Sequence, residues 1–553
     1  MRSSNRSADA RRFLQLLLIA ALVIVGRAPF LLHGDRFFDS DEAVEGLMAS
    51  HVLQGELPAF LWGQNYKGVP EVYLTAAVFA VTGPSVIALK SVTLACFALF
   101  VCLQYVLVER LFSRAIAWMA TAFLVLCPPA FVRWSLSANA EVVMTLLSGT
   151  VMCLGIDIWR RTGSRGAFLA ASAAAGFGLW VHQYIIYYWV ALGLAIFHWL
   201  PQRRRILRLV LAARESPRWL RLLTAILAVV AVAYVALGAV AFLTGGFDAT
   251  ALGLYMGVHH PQKLWNIAAG LLIIAALVRV LSLTSSSASG LPGLSGRQGG
   301  STTSLAYAAA LAFAAGYGPA LGAYATRGGS PPIARTDLAG LSTAISPFVR
   351  QIVPIVIGFR NPSASWLPVP FWLGLALVFA VVASFVALRE RPFTPLFHFL
   401  VFTTPLIFLL SGAFVDVQSY RYLMPAYGAL AVVFAVGIWR IFRWSHVAGA
   451  ISLAMALTLF GLEQRAWYRD LAPDTQSAAT INCLDRSGVR AAFADYWISY
   501  KLTFLTDERI VIAPDTGVDR YPPYTAQVRT QPSPTRIPDT MGLSCTLDTS
   551  LSR

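Results

Sequence analysis

The chain is short of charge. Of its 553 residues only 13% are Asp, Glu, Lys or Arg, with 27 acids against 43 bases. An ordinary soluble domain carries about a quarter charged residues, so a soluble protein of this length is excluded. The chain is also short of cysteine, with six, which excludes a disulfide-dense scaffold. Cys96, Cys102, Cys127 and Cys153 fall in apolar runs and read as small packing residues. Only Cys483 and Cys545 lie in a polar segment, where an oxidising compartment would let them pair. No Gly-x-Gly-x-x-Gly or Walker sequence is present, so nucleotide binding has no support. No repeat of solenoid length is present. No Ala-x-Ala follows the first apolar run, which therefore reads as an uncleaved helix rather than a signal peptide.

What is present is apolar: 57% of the residues. Apolar runs, most near the twenty residues that cross a hydrocarbon core, recur from Phe13–Leu32 to Val447–Leu462; 115–131, which is the third, 264–283, 369–388 and 396–410 are among them, and 245–261 reads as an outer loop. Length and flanking charge predict about 13 spans. The predicted class is an all-α polytopic membrane protein with a small C-terminal soluble α/β domain. The net charge of +16 does not point to nucleic acid. The arginines cluster between spans, as at Arg110/Arg114, Arg160/Arg161 and Arg203–Arg205, where they set topology and meet membrane lipids. Nearly all these clusters fall on the side of the N-terminus. That side is expected to be cytoplasmic, and an odd number of spans puts the tail on the opposite, periplasmic or extracellular side.

Two domains are expected: 1–462, a membrane module, and 463–553, a soluble tail with strands at Val489–Ala494 and Arg509–Ala513 flanking a helix at Tyr496–Leu505. Residues 284–303 read as a Ser/Gly linker. Val72–Thr82 is apolar but too short to span alone and is expected to lie in the interface or to re-enter.

The chemistry gathers in the first outer loop, 33–71. It holds Asp39, Asp41, Glu42, Glu45, Glu56, Lys67 and Glu71 in an otherwise greasy chain. Asp41 to Gln54 reads as an amphipathic helix with Asp41 and Glu45 one turn apart. Asp39 or Ser40 can cap it, because the first amides of a helix lack partners. Capping and solvation thus account for one acid, but not for the clustering.

This loop resembles the first outer loop of the GT-C glycosyltransferases. The resemblance rests on Asp41, the helix that follows, Gly55, Pro58, Tyr66-Lys67, Glu71-Val72-Tyr73-Leu74 and Gly83. Within that superfamily it is similar to the branch of protein O-mannosyltransferases and lipid A aminoarabinose transferases. The Lys-Pro-Pro of the aminoarabinose branch reads Lys67-Gly68-Val69 here. Tyr420-Arg421-Tyr422-Leu423-x-Pro425 resembles a further recurrent element, and Glu141 fits the place of a second acid from the next outer loop.

The resemblance implies an inverting glycosyltransferase of a bacterial inner membrane. The donor is a polyprenyl-phosphate sugar and the acceptor is a hydroxyl on a lipid, glycan or protein. Asp41 is the expected base, with Glu42 and Glu141 as further catalytic acids. Lys67 and Arg421 are expected on the donor phosphate. Asp39, Tyr66, Glu71, His182 and Tyr420 are candidate substrate contacts, and Asp41 with Glu141 could hold a divalent cation. A phosphate leaving group is a weak base and needs no general acid, so one carboxylate base and positive charge on the phosphate suffice. The alternative is a transporter or lipid flippase. That would place ionisable residues mid-span, and Lys90 is the clearest such residue here.

Overall fold

The computed structural model describes residues 2–199, 218–244, 247–251, 254–258, 302–327, 344–357, 395–411, 417–532 and 535–538. The predicted spans at 264–283 and 369–388, and the linker apart from Thr302 and Thr303, lie outside the described residues. So does Cys545; Cys483 is disulfide-bonded.

The first helix, α1 (Arg2–His33), leads into α2 (Ser40–Leu53). Asp39 starts α2 by accepting the amide of Glu42 at 3.1 Å, the side-chain cap expected of Asp at this position. A small antiparallel hairpin follows, β1 (Phe60–Leu61) and β2 (Gln64–Gly68). Then come α3 (Pro70–Thr82), opened by proline at its first position, and α4 (Val86–Leu111). The third predicted span, 115–131, is divided: α5 (Arg114–Val125) stops before Pro128-Pro129, and α6 (Pro129–Trp134) starts anew. A proline inside a helix removes a hydrogen bond and clashes with the preceding turn, so the helix cannot run through.

Helix α7 (Ala140–Thr162) ends at Gly163 in the left-handed region, and α8 (Arg165–Val181) returns to a tight turn at Gln183–Ile185. Helices α9 (Ile186–Trp199) and α10 (Arg218–Thr244) follow. The loop expected after α10 contains a hairpin, β3 (Phe247–Ala251) with β4 (Leu254–Val258). Further on are α11 (Thr302–Arg327), α12 (Leu396–Leu410), a 3₁₀ segment at Val417–Leu423, α13 (Met424–Trp444) and α14 (His446–Arg469). The last long helix therefore runs past 462, the expected domain boundary.

Among the described residues, five helical segments are long and apolar enough to cross a membrane, and several shorter apolar helices pack with them. Helix α13 is buried along nearly its whole length. The buried apolar side chains of α4, α5, α7 and α13 form one continuous core. The chain is a multi-pass membrane protein by these helices.

The tail is α15 (Thr475–Arg486), β5 (Ala491–Asp495), α16 (Tyr496–Leu505), β6 (Val511–Thr516), α17 (Pro522–Arg529) and β7 (Thr535–Arg536). Its three strands are parallel in the order β6-β5-β7. Parallel pairing needs a crossover, which α16 supplies between β5 and β6. Pro514 lies within β6 without breaking it, because β6 is an edge strand.

The two ends of the bundle differ chemically. At one end Asp157 collects Arg110 at 2.8 Å, Arg160 at 2.6 Å and Arg161 at 3.0 Å. At the other end the first loop, the start of α7, the turn after α8, the start of α13 and the tail come together.

Candidate active site

Lys67 sits on β2, buried, and is held there by packing. A β-carbon on the next residue, Gly68, would lie 2.4 Å from the Trp180 carbonyl oxygen, so only glycine lets β2 approach α8 this closely. The Trp180 indole in turn donates to the Ala59 carbonyl at 2.8 Å. The Lys67 ammonium donates to Asn139 Oδ1 and lies 3.3 Å from Glu45 Oε1 and 3.8 Å from Glu141 Oε2. Burial alone would lower its pKa. The charges of Glu141, Glu45 and Asp41 outweigh burial and hold it above 10.5, so Lys67 is a fixed cation.

Glu141 lies in the first turn of α7, where the helix dipole favours a negative charge. Three nitrogens face its carboxylate: Lys67 Nζ, His182 Nε2 at 3.9 Å and Arg421 Nε at 3.9 Å. His182 Nδ1 accepts the Tyr184 amide at 3.2 Å, so the neutral ring carries its proton on Nε2, toward Glu141. Burial first, and then Lys67, push the His182 pKa down to about 4 against the pull of Glu141. Arg421 donates to the Tyr422 hydroxyl at 2.7 Å and stacks over the Tyr422 and Trp134 rings.

These groups line one cavity of about 210 Å³. Asp41 comes from α2, Gln64, Tyr66 and Lys67 from β2, and Asn139 and Glu141 from the start of α7. His182, Gln183 and Tyr184 come from the turn after α8, and Arg421 and Tyr422 from the segment before α13. Six of the residues singled out from the sequence thus meet: Asp41, Tyr66, Lys67, Glu141, His182 and Arg421.

Four others do not line it. Glu42 is buried away from the cavity, 2.5 Å from Lys90 and accepting the Ala138 amide at 3.0 Å. Neither partner lines the cavity. Asp39 caps α2 and lies 3.8 Å from Arg133. Burial, then Glu42 and Asp41, push its carboxyl up to about 6. Glu71 is fully buried and accepts the Thr93 hydroxyl; burial, then the charge of Glu45, push it up to about 8. Tyr420 is buried against Trp134. The remaining acids of the loop are thus taken up by buried partners: Glu42 by Lys90, Glu45 by Lys67, and Glu71 by the Thr93 hydroxyl.

Asp41 and Glu141, the two acids expected to hold a divalent cation, both line the cavity, where Glu141 also faces Lys67 and Arg421. Among the described residues, no three or more His, Cys, Asp or Glu side chains gather as a metal site.

No family model matches the chain, and no curated protein matches it. Among solved structures it is similar to the oligosaccharyltransferase of Archaeoglobus fulgidus in the apo form. The identity is 14%, the match covers 91% of this chain and 64% of that one, and the TM-score is 0.48. The same enzyme in complex with Zn and sulfate gives 13% identity, 90% and 62% coverage and a TM-score of 0.47. ArnT from Cupriavidus metallidurans bound to undecaprenyl phosphate gives 14% identity, 94% and 88% coverage and a TM-score of 0.34. The chain spans less than two thirds of the archaeal enzyme's length. What each residue does here follows from this chain's own geometry.

Two contributors come from the tail. The Tyr496 hydroxyl donates to Asp41 Oδ1, and Arg520 Nη2 lies 3.6 Å from the same oxygen. Glu45, and the lining residues Gln64, Asn139, Gln183, Tyr184 and Tyr422, were likewise not singled out as site residues. The place of Glu45 one turn from Asp41 on the helix was readable. Arg520 carries no local signal, because only tertiary contact brings it to α2.

Proposed function

We propose that the protein is an inverting glycosyltransferase that moves a sugar from a polyprenyl-phosphate donor to an acceptor hydroxyl at the outer face of the membrane. The observation that carries this reading is the cavity itself. A carboxylate, Asp41, and two cations, Lys67 and Arg421, face the same polar space at one end of an apolar helical bundle. A lipid-borne donor needs both surroundings at once: hydrocarbon for its chain and polar groups for its sugar phosphate.

In the step, Asp41 takes the proton of the acceptor hydroxyl. The acceptor oxygen bonds to the anomeric carbon as the bond from that carbon to the phosphate oxygen breaks. The phosphate leaves with the electron pair, and Lys67 and Arg421 stabilise its charge. A single displacement inverts the anomeric centre. Glu141 keeps both cations charged and in place, and neutral His182 can donate to a sugar or phosphate oxygen. The arginines around Asp157 at the opposite end of the bundle support the outer face for the cavity.

The test is to incubate the purified protein with a panel of radiolabelled polyprenyl-phosphate sugars and a membrane extract as acceptor source. Release of polyprenyl phosphate with at least one donor is expected. No release with any of them, from protein that remains folded, contradicts the reading.

A further inference from the structure

Helix α16 of the tail packs against the first half of α2, from Ser40 to Gly46. At one end the Lys501 amide donates to Ser40 Oγ at 3.3 Å. Further along, the Phe504 ring lies so close to Gly46 that a β-carbon there would be 2.5 Å from it. Between these anchors stands Asp41, with Tyr496 and Arg520 both directed at its Oδ1.

The two tail residues are themselves held. Gly517, with φ +85, turns so tightly that a β-carbon on it would fall 2.8 Å from that of Tyr496. The Arg520 guanidinium lies over the Tyr496 ring at 5.5 Å, and its Nε donates to the Tyr496 hydroxyl at 3.2 Å. A carboxylate has two oxygens and about four lone-pair sites. With Oδ1 taken by the tail, Oδ2 is the oxygen left for an acceptor hydroxyl.

We infer that the tail is part of the catalytic machinery: Tyr496 and Arg520 are positioning residues that fix the Asp41 carboxylate at the cavity. This rests on the proposed role of Asp41 as base. The logic is that of any base oriented by a third group: the donors do not touch the substrate but hold the reacting atom in one place. A misplacement of about 1 Å can cost about 10²-fold in rate. A contact that merely ties the tail to the bundle would leave kcat unchanged in a variant whose tail stays docked.

The first measurement needs no substrate. The full-length protein in nanodiscs is treated with a carbodiimide and an amine nucleophile over a pH series, and labelling of Asp41 is read by peptide mass spectrometry. Exposed Asp507 is the internal reference. In Tyr496→Phe, where Asp41 Oδ1 loses its hydroxyl donor, Asp41 labelling at a given pH should rise about three- to tenfold, the worth of one hydrogen bond, with Asp507 unchanged. Should Tyr496→Phe free the tail, seen as new tryptic cleavage after Arg509, Arg520→Gln carries the same test. Asp41 labelling equal to wild type in variants whose tail stays docked overturns the inference.

The second measurement is turnover. In Tyr496→Phe, kcat should fall about 10²-fold with KM for the donor unchanged. A wild type that transfers no sugar counts against the proposed function, while the labelling result still decides whether the tail positions Asp41.

Discussion

Lys67 stands between Glu45 and Glu141, its ammonium nitrogen 3.3 Å from one carboxylate and 3.8 Å from the other. All three side chains are buried. The pair arrangement gives the cavity a cation that needs no metal and that cannot rotate away. Removing the lysine would leave two carboxylates facing each other out of water. Lys67→Met should therefore cost about 3–5 kcal/mol, seen as a lower thermal midpoint, as well as transfer activity. Lys67→Met with Glu45→Gln should recover part of the stability but none of the activity. A Lys67→Met protein as stable as wild type would mean that the three groups do not form a charged cluster.

Glu42 and Asp41 are adjacent in sequence and opposite in role. Glu42 is tied to Lys90 at 2.5 Å, whereas Asp41 lines the cavity. Glu42→Gln should lower the thermal midpoint, because it leaves the buried Lys90 charge unpaired. The transfer rate of the surviving folded fraction, per active site, should fall far less than in Asp41→Asn. A Glu42→Gln enzyme that is stable but inactive would exchange the two assignments.

The junction between the first loop and the tail should respond to pH. His51 lies 2.9 Å from Glu56 and 2.8 Å from Glu508, with Trp62, Tyr521 and Tyr524 around its ring. Burial lowers the His51 pKa, but the hydrogen bonds from Glu508 and Glu56 outweigh it, so the folded value lies above 6.5. A raised pKa gives stability that is complete below the unfolded value and is lost as pH rises through the folded one. Burial raises the Glu508 carboxyl, but its hydrogen bonds to His51 and Tyr524 outweigh that and leave it below 4.5. Its contribution is present above 4.5 and is lost as pH falls through the folded value. The junction should be tightest between pH 4.5 and 6.5 and loosen as pH climbs past 6.5. Hydrogen exchange of the 507–510 segment over a pH series measures this, and His51→Gln should flatten the alkaline side. Exchange that slows as pH rises, after correction for the intrinsic rate, would contradict it.

Local pattern carried some of this architecture well. The bounds of α12 and α16, and the short apolar helix α3, follow from apolar length and flanking residues. Asp41, Lys67 and Glu141 were legible as a site because charged residues in a greasy chain need a reason to be there. What was not legible depends on distant contacts. Lys90 read as a lone ionisable residue within a span, yet it is the partner of Glu42, 48 positions away. Residues 115–131 read as one span by hydropathy, while Pro128-Pro129 divide them. The hairpin after α10 lay in what read as a loop. Tyr496 sits 455 positions from the carboxylate that it binds, a separation at which neither spacing nor periodicity speaks.

The central claim is that Asp41 is the base. Asp41→Asn keeps the side-chain shape and can still accept a hydrogen bond from Tyr496, but it cannot take a proton. Asp41 is partly exposed to the cavity and holds little of the core, so expression and thermal midpoint should stay near wild type. The decisive measurement is the single-turnover rate of sugar transfer from the polyprenyl-phosphate donor identified in the panel, wild type against Asp41→Asn. A fall of about 10²–10⁴-fold in a folded protein is the predicted result. Transfer by Asp41→Asn at the wild-type rate would contradict the account.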